Sequence, residues 1–345
     1  MMKKRTILTF ISLLTLLGVI LAGCGSSGNE GGEQSSTEEK TAVKIGYFPN
    51  LTHVATIVGL EKGFFAEAFG EDIEIQTQTF NNGGLFMEGM STNAIEIGTV
   101  GPGPAMNFFF KDPSYQIVSG AVNGGAVLVV RGDSDIETIA DLDGKRIAIP
   151  VIGSTQDIML RKALQEADLA PTANGGTVEM LAAAPADTST LFIQEDVDGA
   201  ATQEPWGQVL ETKADGRVLL DWDEFAWGEE STNTVVVAHK NLIESHPELV
   251  EKYLEAHVKA IEFIQENPAE SQQLVVDHLK ELTGQELDLD ELAAAMERLT
   301  VTYEVNEDVI QEMATIGMEA DYTSSDDLEG FIDLSHLEKV LNANQ

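Results

Sequence analysis

Cysteine is almost absent: the chain of 345 residues has one, Cys24. A single thiol excludes an intramolecular disulfide, a CxxC redox pair and a cysteine metal cluster. Basic residues are scarce too, with 20 Lys and Arg against 58 Asp and Glu and a formal net charge of −38. A chain so poor in cations is not built to hold a phosphate backbone, which excludes nucleic acid as a partner. The six histidines (His53, His239, His246, His257, His278 and His336) form no HExxH or other close ligand pair, and no GxSxG elbow or P-loop occurs. With no nucleophile, metal set or cofactor fingerprint in view, the chain reads as a non-enzyme that uses no cofactor and no metal. After the first two dozen residues, no apolar run approaches the roughly 20 residues of a membrane span.

What is present begins at the start of the chain. Lys3, Lys4 and Arg5 precede an apolar run over 7–21, which ends in Leu21-Ala22-Gly23-Cys24. A basic start, a short apolar stretch and small residues before a cysteine are the pattern of a bacterial lipoprotein signal. Residues 1–23 are therefore expected to be the signal peptide and Cys24 the lipidated residue. Residues 24–41 carry Gly, Ser, Glu and no large apolar side chain, and read as a flexible tether. The expected location is extracytoplasmic, lipid-anchored to the cell membrane. The rest is long enough for one large or two medium domains. Its acidity points to a saline or alkaline habitat, where salt at 1 M shortens screening to about 3 Å, so the global charge need not repel a small anion.

A strand, loop and helix pattern then occurs twice. Strand 43–48, loop 49–52 and helix 53–65 correspond to strand 146–149, loop 150–155 and helix 156–169. Strand 73–80, Asn81-Asn82-Gly83-Gly84, a helix over 85–90 and strand 95–100 correspond to strand 178–183, Asp187-Thr188-Ser189, a helix ending at 193 and strand 197–202. The last strand of each set has an acidic second residue, Glu96 or Asp198. Gly101-Pro102-Gly103-Pro104 follows one and Gln203-Glu204-Pro205-Trp206 the other. Such a repeat predicts two α/β lobes, each a mostly parallel sheet flanked by helices. The β-branched runs 126–131 and 234–239 read as crossings through a hinge. Lobe 1 would be 42–125 plus 233–345, and lobe 2 would be 126–232. Pro247, Pro268 and Gly284 punctuate helices expected to coat lobe 1.

In open α/β sheets ligands sit beyond the carboxyl ends of the strands. Helix N-termini there offer unpaired N–H groups and partial positive charge, which suits a small oxyanion. The candidate donors come from Asn50 to His53 (with Thr52), Asn81 to Gly84 (with Asn82 and Gly83) and Gly101 to Gly103 (with Pro102) on one side, and from Gly153 to Asp157 (with Ser154, Thr155 and Gln156) and Thr188 to Ser189 on the other. Alternatives stay open: Thr52, Thr155 and Thr188 also read as N-caps, and the Asn-Asn-Gly-Gly run as a turn. Trp206 reads as core filler or as an apolar wall. Glu204 either pairs with a donor in the protein or receives an amine on the ligand. His257 lies on the apolar side of its helix and reads as core.

Taken together, Lys44-Ile45-Gly46-Tyr47-Phe48-Pro49-Asn50, Val100-Gly101-Pro102-Gly103-Pro104, Gly125-Ala126-Val127-Leu128-Val129-Val130-Arg131, Asp141-Leu142-Asp143-Gly144-Lys145, Gly153-Ser154-Thr155-Gln156-Asp157 and Glu204-Pro205-Trp206 resemble the ABC-importer extracytoplasmic solute-binding lipoproteins, in their aliphatic sulfonate, taurine and nitrate-binding group. The resemblance implies a two-lobed periplasmic-binding-protein-like (type II) fold with a helical C-terminal coat. It also implies a monomer that closes on a small organic anion and delivers it to an ABC permease with a separate cytoplasmic ATPase. The ligand loops it implies are Asn50 to His53, Asn82 to Gly84, Gly101-Pro102, Thr155-Gln156-Asp157 and Glu204 to Trp206. Ser154 stands where the group has Asn, and Gly84 where Pro is common. The expected cargo is an aliphatic sulfonate, with nitrate, taurine and a thiamine-pyrimidine precursor as alternatives. Pyrimidine-precursor synthases share the fold, but need a lysine and a cysteine-rich motif that these loops lack.

Overall fold

The computed structural model describes residues 42–284 and 287–343. The expected signal peptide, Cys24 and the tether lie outside the described residues. The strands are β1 (Ala42–Tyr47), β2 (Glu74–Thr79), β3 (Ile97–Val100), β4 (Tyr115–Gly124), β5 (Ala126–Arg131), β6 (Arg146–Ile149), β7 (Glu179–Ala182), β8 (Gly199–Gln203), β9 (Gly216–Leu220), β10 (Thr232–His239) and β11 (Leu299–Val301). They form a six-stranded sheet in the order β11-β4-β10-β3-β1-β2 and a five-stranded sheet in the order β7-β6-β8-β5-β9.

Pairings make β1, β2, β3 and β4 run one way in the larger sheet, with β10 and β11 opposed. In the smaller sheet β6, β7, β8 and β9 run one way and β5 is opposed. The sheets are thus mostly parallel in direction, but β10 and β5 lie inside them antiparallel to both neighbours. Each enters from the other sheet rather than through a helical crossover, so the right-handed β-α-β rule does not set its direction.

The repeat seen in the sequence has a shared hydrogen-bond signature. The Glu96 carboxylate accepts from the Lys44 backbone N–H at 3.3 Å, and the Glu96 N–H donates to the Lys44 carbonyl at 2.9 Å. In the smaller sheet the Asp198 carboxylate accepts from Arg146 N–H at 2.8 Å, and the Asp198 N–H donates to the Arg146 carbonyl at 2.8 Å. Each acid satisfies a backbone donor at the foot of a parallel pair, where the ladder would otherwise leave it to water.

Both sheets bury both faces. Val235 and Val237 point to the layer of Phe86, Met87, Met106 and Met313, and Val236 and Ala238 to that of Phe65, Leu249, Tyr253 and Leu254. In β5, Leu128 and Val130 join one core and Val127 and Val129 the other. This explains why these strands read as unbroken apolar runs. The expected helix over 53–65 is divided: Val54–Glu61 stops at Gly63 in the left-handed region (φ 72°), and Phe64–Phe69 begins a new helix.

The C-terminal helices pack on the larger sheet, but they also reach the smaller one, a correction to a coat confined to lobe 1. Helix Glu307–Glu319 buries Val309, Ile310 and Met313 in the larger lobe's core, while Glu312 on its polar side binds Lys162 at 2.7 Å and Trp227 Nε1 at 2.6 Å. An amphipathic helix at a seam can serve one lobe with its apolar face and the other with its charges.

The chain changes sheets at Gly124 and Gly125, both at positive φ (70° and 74°). The turn therefore falls just before the β-branched run of β5, not within it, because a strand with a full ladder resists such a bend. Arg298 sits against this turn. Its carbonyl accepts from Gly125 N–H at 2.8 Å, and its guanidinium contacts Glu204 (2.8 Å), Glu211 (2.7 Å) and Asp221 (3.3 Å). Glu204 is fully buried, and burial pushes its pKa up to about 7 against the opposing pull of Arg298.

Two predictions follow from these buried groups. Arg298→Met leaves Glu204 buried without its counter-charge and is expected to destabilise the protein by about 3–5 kcal/mol, read from urea midpoints. Second, burial lowers the pKa of His53 to about 3 and of His257 to about 4, from 6.5. Above pH 6.5 both states hold neutral imidazole and pH has no effect through them. Below it only the unfolded chain takes up the protons, so stability should fall by about 1.4 kcal/mol per pH unit for each histidine, down to about pH 4. Between pH 7 and 5 the folded state alone also holds a proton on Glu204, which offsets about one histidine's share, so urea titrations there read the net slope and replacing His257 by Gln should lower it by one proton.

Candidate functional site

A cavity lies between the sheets, where the carboxyl ends of β1, β2, β3, β6 and β8 meet the start of β10. It measures about 30 Å³, on a measure where one water needs roughly 10–15 Å³. Three helices of eight residues or more begin at its wall: Gly83–Ser91, Pro102–Phe109 and Thr155–Glu166. Each start is set locally. Asn82 Oδ1 accepts from Leu85 N–H at 3.0 Å, Ser154 Oγ accepts from Asp157 N–H at 3.2 Å, and Pro102 fills the first helical position where no N–H is needed. Their dipoles put positive potential on the same small space.

Capping is done two residues before Thr52, by Asn50, and one residue before Thr155, by Ser154. Asn50 Oδ1 accepts from the N–H and the hydroxyl of Thr52, both at 2.9 Å. With Ser154 as the cap, Thr155 Oγ1 is free to accept from Gly103 N–H at 3.3 Å across the cleft. Because the oxygens of Asn50 and Asn82 are committed to backbone turns, what those amides can offer a ligand is N–H. Ser154 and Thr155 keep a hydroxyl proton to donate. Among the described residues the cavity lining has no Lys, Arg, Asp or Glu.

His53 is buried in this wall, its ring centroid 4.4 Å from that of Phe48 and its Nδ1 2.7 Å from Thr99 Oγ1. With a pKa lowered to about 3 by burial, it is neutral throughout the physiological range. Gln156 Nε2 donates to Asn233 Oδ1 at 3.1 Å, and Asn233 Nδ2 donates to the Gly124 carbonyl at 2.7 Å. A wall residue of the smaller lobe is thereby wired to the turn where the chain changes sheets.

Of the residues singled out in the sequence, Asn50, Thr52, His53, Asn81, Asn82, Gly83, Gly101, Ser154, Thr155 and Gln156 line this cavity together. Pro102, Gly103, Gly84, Gly153, Asp157, Thr188, Ser189, Glu204 and Trp206 do not. Gly84 faces a neighbouring cavity with Pro104, Ile152 and Tyr322. Asp157 accepts from Gly153 N–H (2.6 Å), from Arg161 Nε (2.9 Å) and from the Tyr322 hydroxyl, so it shapes the ligand loop from behind. Glu204 is taken by Arg298 and by the N–H of Gln208 at 3.0 Å, the protein-donor alternative. Trp206 lines a second cavity of about 130 Å³, together with Phe48, Phe80, Pro185 and Ala186. That cavity shares Phe48, Asn50, Asn81 and Gln203 with the first.

Sequence reasoning missed Phe48, Pro104, Pro150, Gln203, Asn233 and Thr234 as lining residues. Gln203 and Asn233 carried a usable signal: one ends a strand and the other opens one, and both are polar side chains flanked by buried neighbours.

Residues 36–278 match the family model described as NMT1-like. A putative binding protein of Brucella abortus (strain 2308) is 24% identical over 282 residues, covering 81% of this chain and 80% of that protein. The taurine-binding periplasmic protein of Escherichia coli (strain K12) is 27% identical over 198 residues, 57% of this chain and 58% of that protein. The solved structure of the alkanesulfonate-binding protein SsuA from Xanthomonas axonopodis pv. citri, bound to MOPS, is similar with a TM-score of 0.73 at 19% identity, covering 86% of this chain and 99% of that one. The fold is that of the two-lobed periplasmic binding proteins. With the family pattern running through both sheets and into the C-terminal helices, the chain belongs to the NMT1-like family.

Proposed function

We propose that the protein is the solute-binding component of an ABC importer, and that it holds a small organic anion, an aliphatic sulfonate, between its lobes for delivery to a permease. One observation carries this reading: three helix N-termini and neutral donors from both lobes enclose one cavity whose wall, among the described residues, has no Lys, Arg, Asp or Glu. Such a wall suits a compact oxyanion head better than a cation, a nucleotide or an apolar molecule. The adjoining cavity of about 130 Å³, walled by Phe48, Phe80, Pro185, Ala186 and Trp206, gives a short tail a place that nitrate would leave empty. The central cavity of about 30 Å³ taken alone favours nitrate, which is the second reading.

In this reading lobe 1 comprises 42–125 and 233–345, lobe 2 comprises 126–232, and the turn at Gly124 and Gly125 is the hinge. Binding favours closure because the donors come from both lobes at once. Cys24 would carry the lipid that holds the protein outside the cytoplasmic membrane, and a separate ATPase would drive the permease.

Calorimetric titration with ethanesulfonate, nitrate, taurine and hydroxymethylpyrimidine tests the cargo. Selective sulfonate binding is expected, with ligand at a hundredfold its dissociation constant stabilising the fold by about 2.7 kcal/mol. Nitrate binding with sulfonates rejected would install the second reading, and indifference to all anions would end both. Gly101 offers a test of closure. A Cβ there would stand 2.3 Å from Thr155 Oγ1, yet its φ of −67° suits alanine. Gly101→Ala should therefore leave the fold of each lobe intact and weaken ligand binding by about tenfold or more, because the clash arises only where the lobes meet.

A further inference from the structure

Gln203 ends β8 at the boundary of the two cavities and lines both. It is 7% exposed, and its Oε1 is buried without a hydrogen-bond partner. Its neighbours in the central wall are arranged oppositely. The oxygens of Asn50, Asn82, Ser154, Thr155 and Asn233 each accept from a donor of the protein. The central cavity therefore offers its occupant donors, and the passage to the second cavity offers an acceptor. A buried acceptor left unmet keeps the cost of its lost hydration, a penalty that a ligand donor removes.

We propose that Gln203 is a specificity-determining residue that accepts a hydrogen bond from a hydroxyl next to the ligand's anionic head, so that the solute is a hydroxyl-bearing sulfonate rather than a plain alkyl one. This rests on reading the central cavity as the anion site. A neutral amide oxygen reads a hydroxyl without requiring a charge. The carboxylate next to it in sequence, Glu204, is held by Arg298 and Gln208 and is not offered to a ligand ammonium. An ammonium at this passage would be desolvated against a neutral oxygen, at greater cost than a hydroxyl. Asp187 is the one carboxylate lining the second cavity among the described residues, and it is exposed to solvent.

The test is titration of the full chain and of its Gln203→Leu variant with ethanesulfonate, 2-hydroxyethanesulfonate and 2-aminoethanesulfonate. The wild type should bind the hydroxyl compound about tenfold more tightly than ethanesulfonate, the worth of one hydrogen bond to an otherwise unmet acceptor. In Gln203→Leu that advantage should shrink to within about twofold. Equal affinities in the wild type, a tighter amino compound, or an advantage that survives the substitution would each overturn the proposal while leaving an anion receptor in place. Binding of none of the three, nor of nitrate, would overturn the anion site itself and this proposal with it. Because the wild-type comparison of matched ligands stands alone, a variant that fails to fold does not remove the test.

Discussion

Everything about this molecule turns on where a parallel strand delivers the chain. Each strand that pairs in parallel and passes to a helix ends at its carboxyl edge, so the helix that follows begins there, with unpaired N–H groups and positive dipole end outward. β2, β3 and β6 each end this way, and their helices start at Gly83, Pro102 and Thr155 around one space. The site is a consequence of sheet direction before it is a matter of side chains. Antiparallel β5 and β10 do different work: they link the sheets, and β10 opens at the seam with Asn233, whereas Gln203 comes from the carboxyl end of β8.

Two lobes facing each other give that geometry its effect. One lobe alone would leave its helix ends hydrated, and water already satisfies them. Where the lobes meet, Gly103 N–H reaches Thr155 Oγ1 and Asn107 Nδ2 reaches the Gly153 carbonyl at 3.0 Å. The same approach explains the glycines, since a Cβ on Gly103 would lie 2.9 Å from Thr155 N. Behind the site, Arg298 gathers Glu204, Glu211 and Asp221 at the turn between sheets. Front and back of the seam are thus held by different chemistry, neutral hydrogen bonds at the cavity and a charged cluster at the turn.

The repeated units are legible in the sequence because each is local: a short apolar run, a Gly, Asn or Ser turn and a helix period are written within thirty residues. Glu96 and Asp198 even announce the repeat by themselves, for both meet the backbone of the first strand of their set. The loop residues Asn50, His53, Asn82, Gly101 and Thr155 are legible for the same reason. What escapes is decided by partners far along the chain. Glu204 belongs to Arg298, 94 residues away, and Asp157 to Tyr322, 165 residues away. No spacing rule could have taken Glu204 out of the ligand set, whereas Asp157 has a local partner as well, Arg161 four residues on, which helical spacing does suggest. Gln203 and Asn233 are the converse: as polar residues at the edge of a strand they can be picked out, but nothing beside them indicates that the end of one strand and the start of the other meet at the seam.

A wall without charge also suits a protein that must let go of what it holds. A buried arginine in the cavity would be an unpaired ion whenever the anion left, and removing one partner of such a pair typically costs about 3–5 kcal/mol. Neutral donors ask far less, and water meets them as soon as the cleft opens. The acidic exterior adds nothing to capture, because a net charge of −38 repels an anion at low ionic strength. Recognition is therefore left to neutral, oriented polar groups inside, where the dielectric is low and the groups are already in place. The arginines near the seam are balanced by carboxylates of the protein, Arg298 by Glu204, Glu211 and Asp221 and Arg161 by Asp157, and neither lines the cavity.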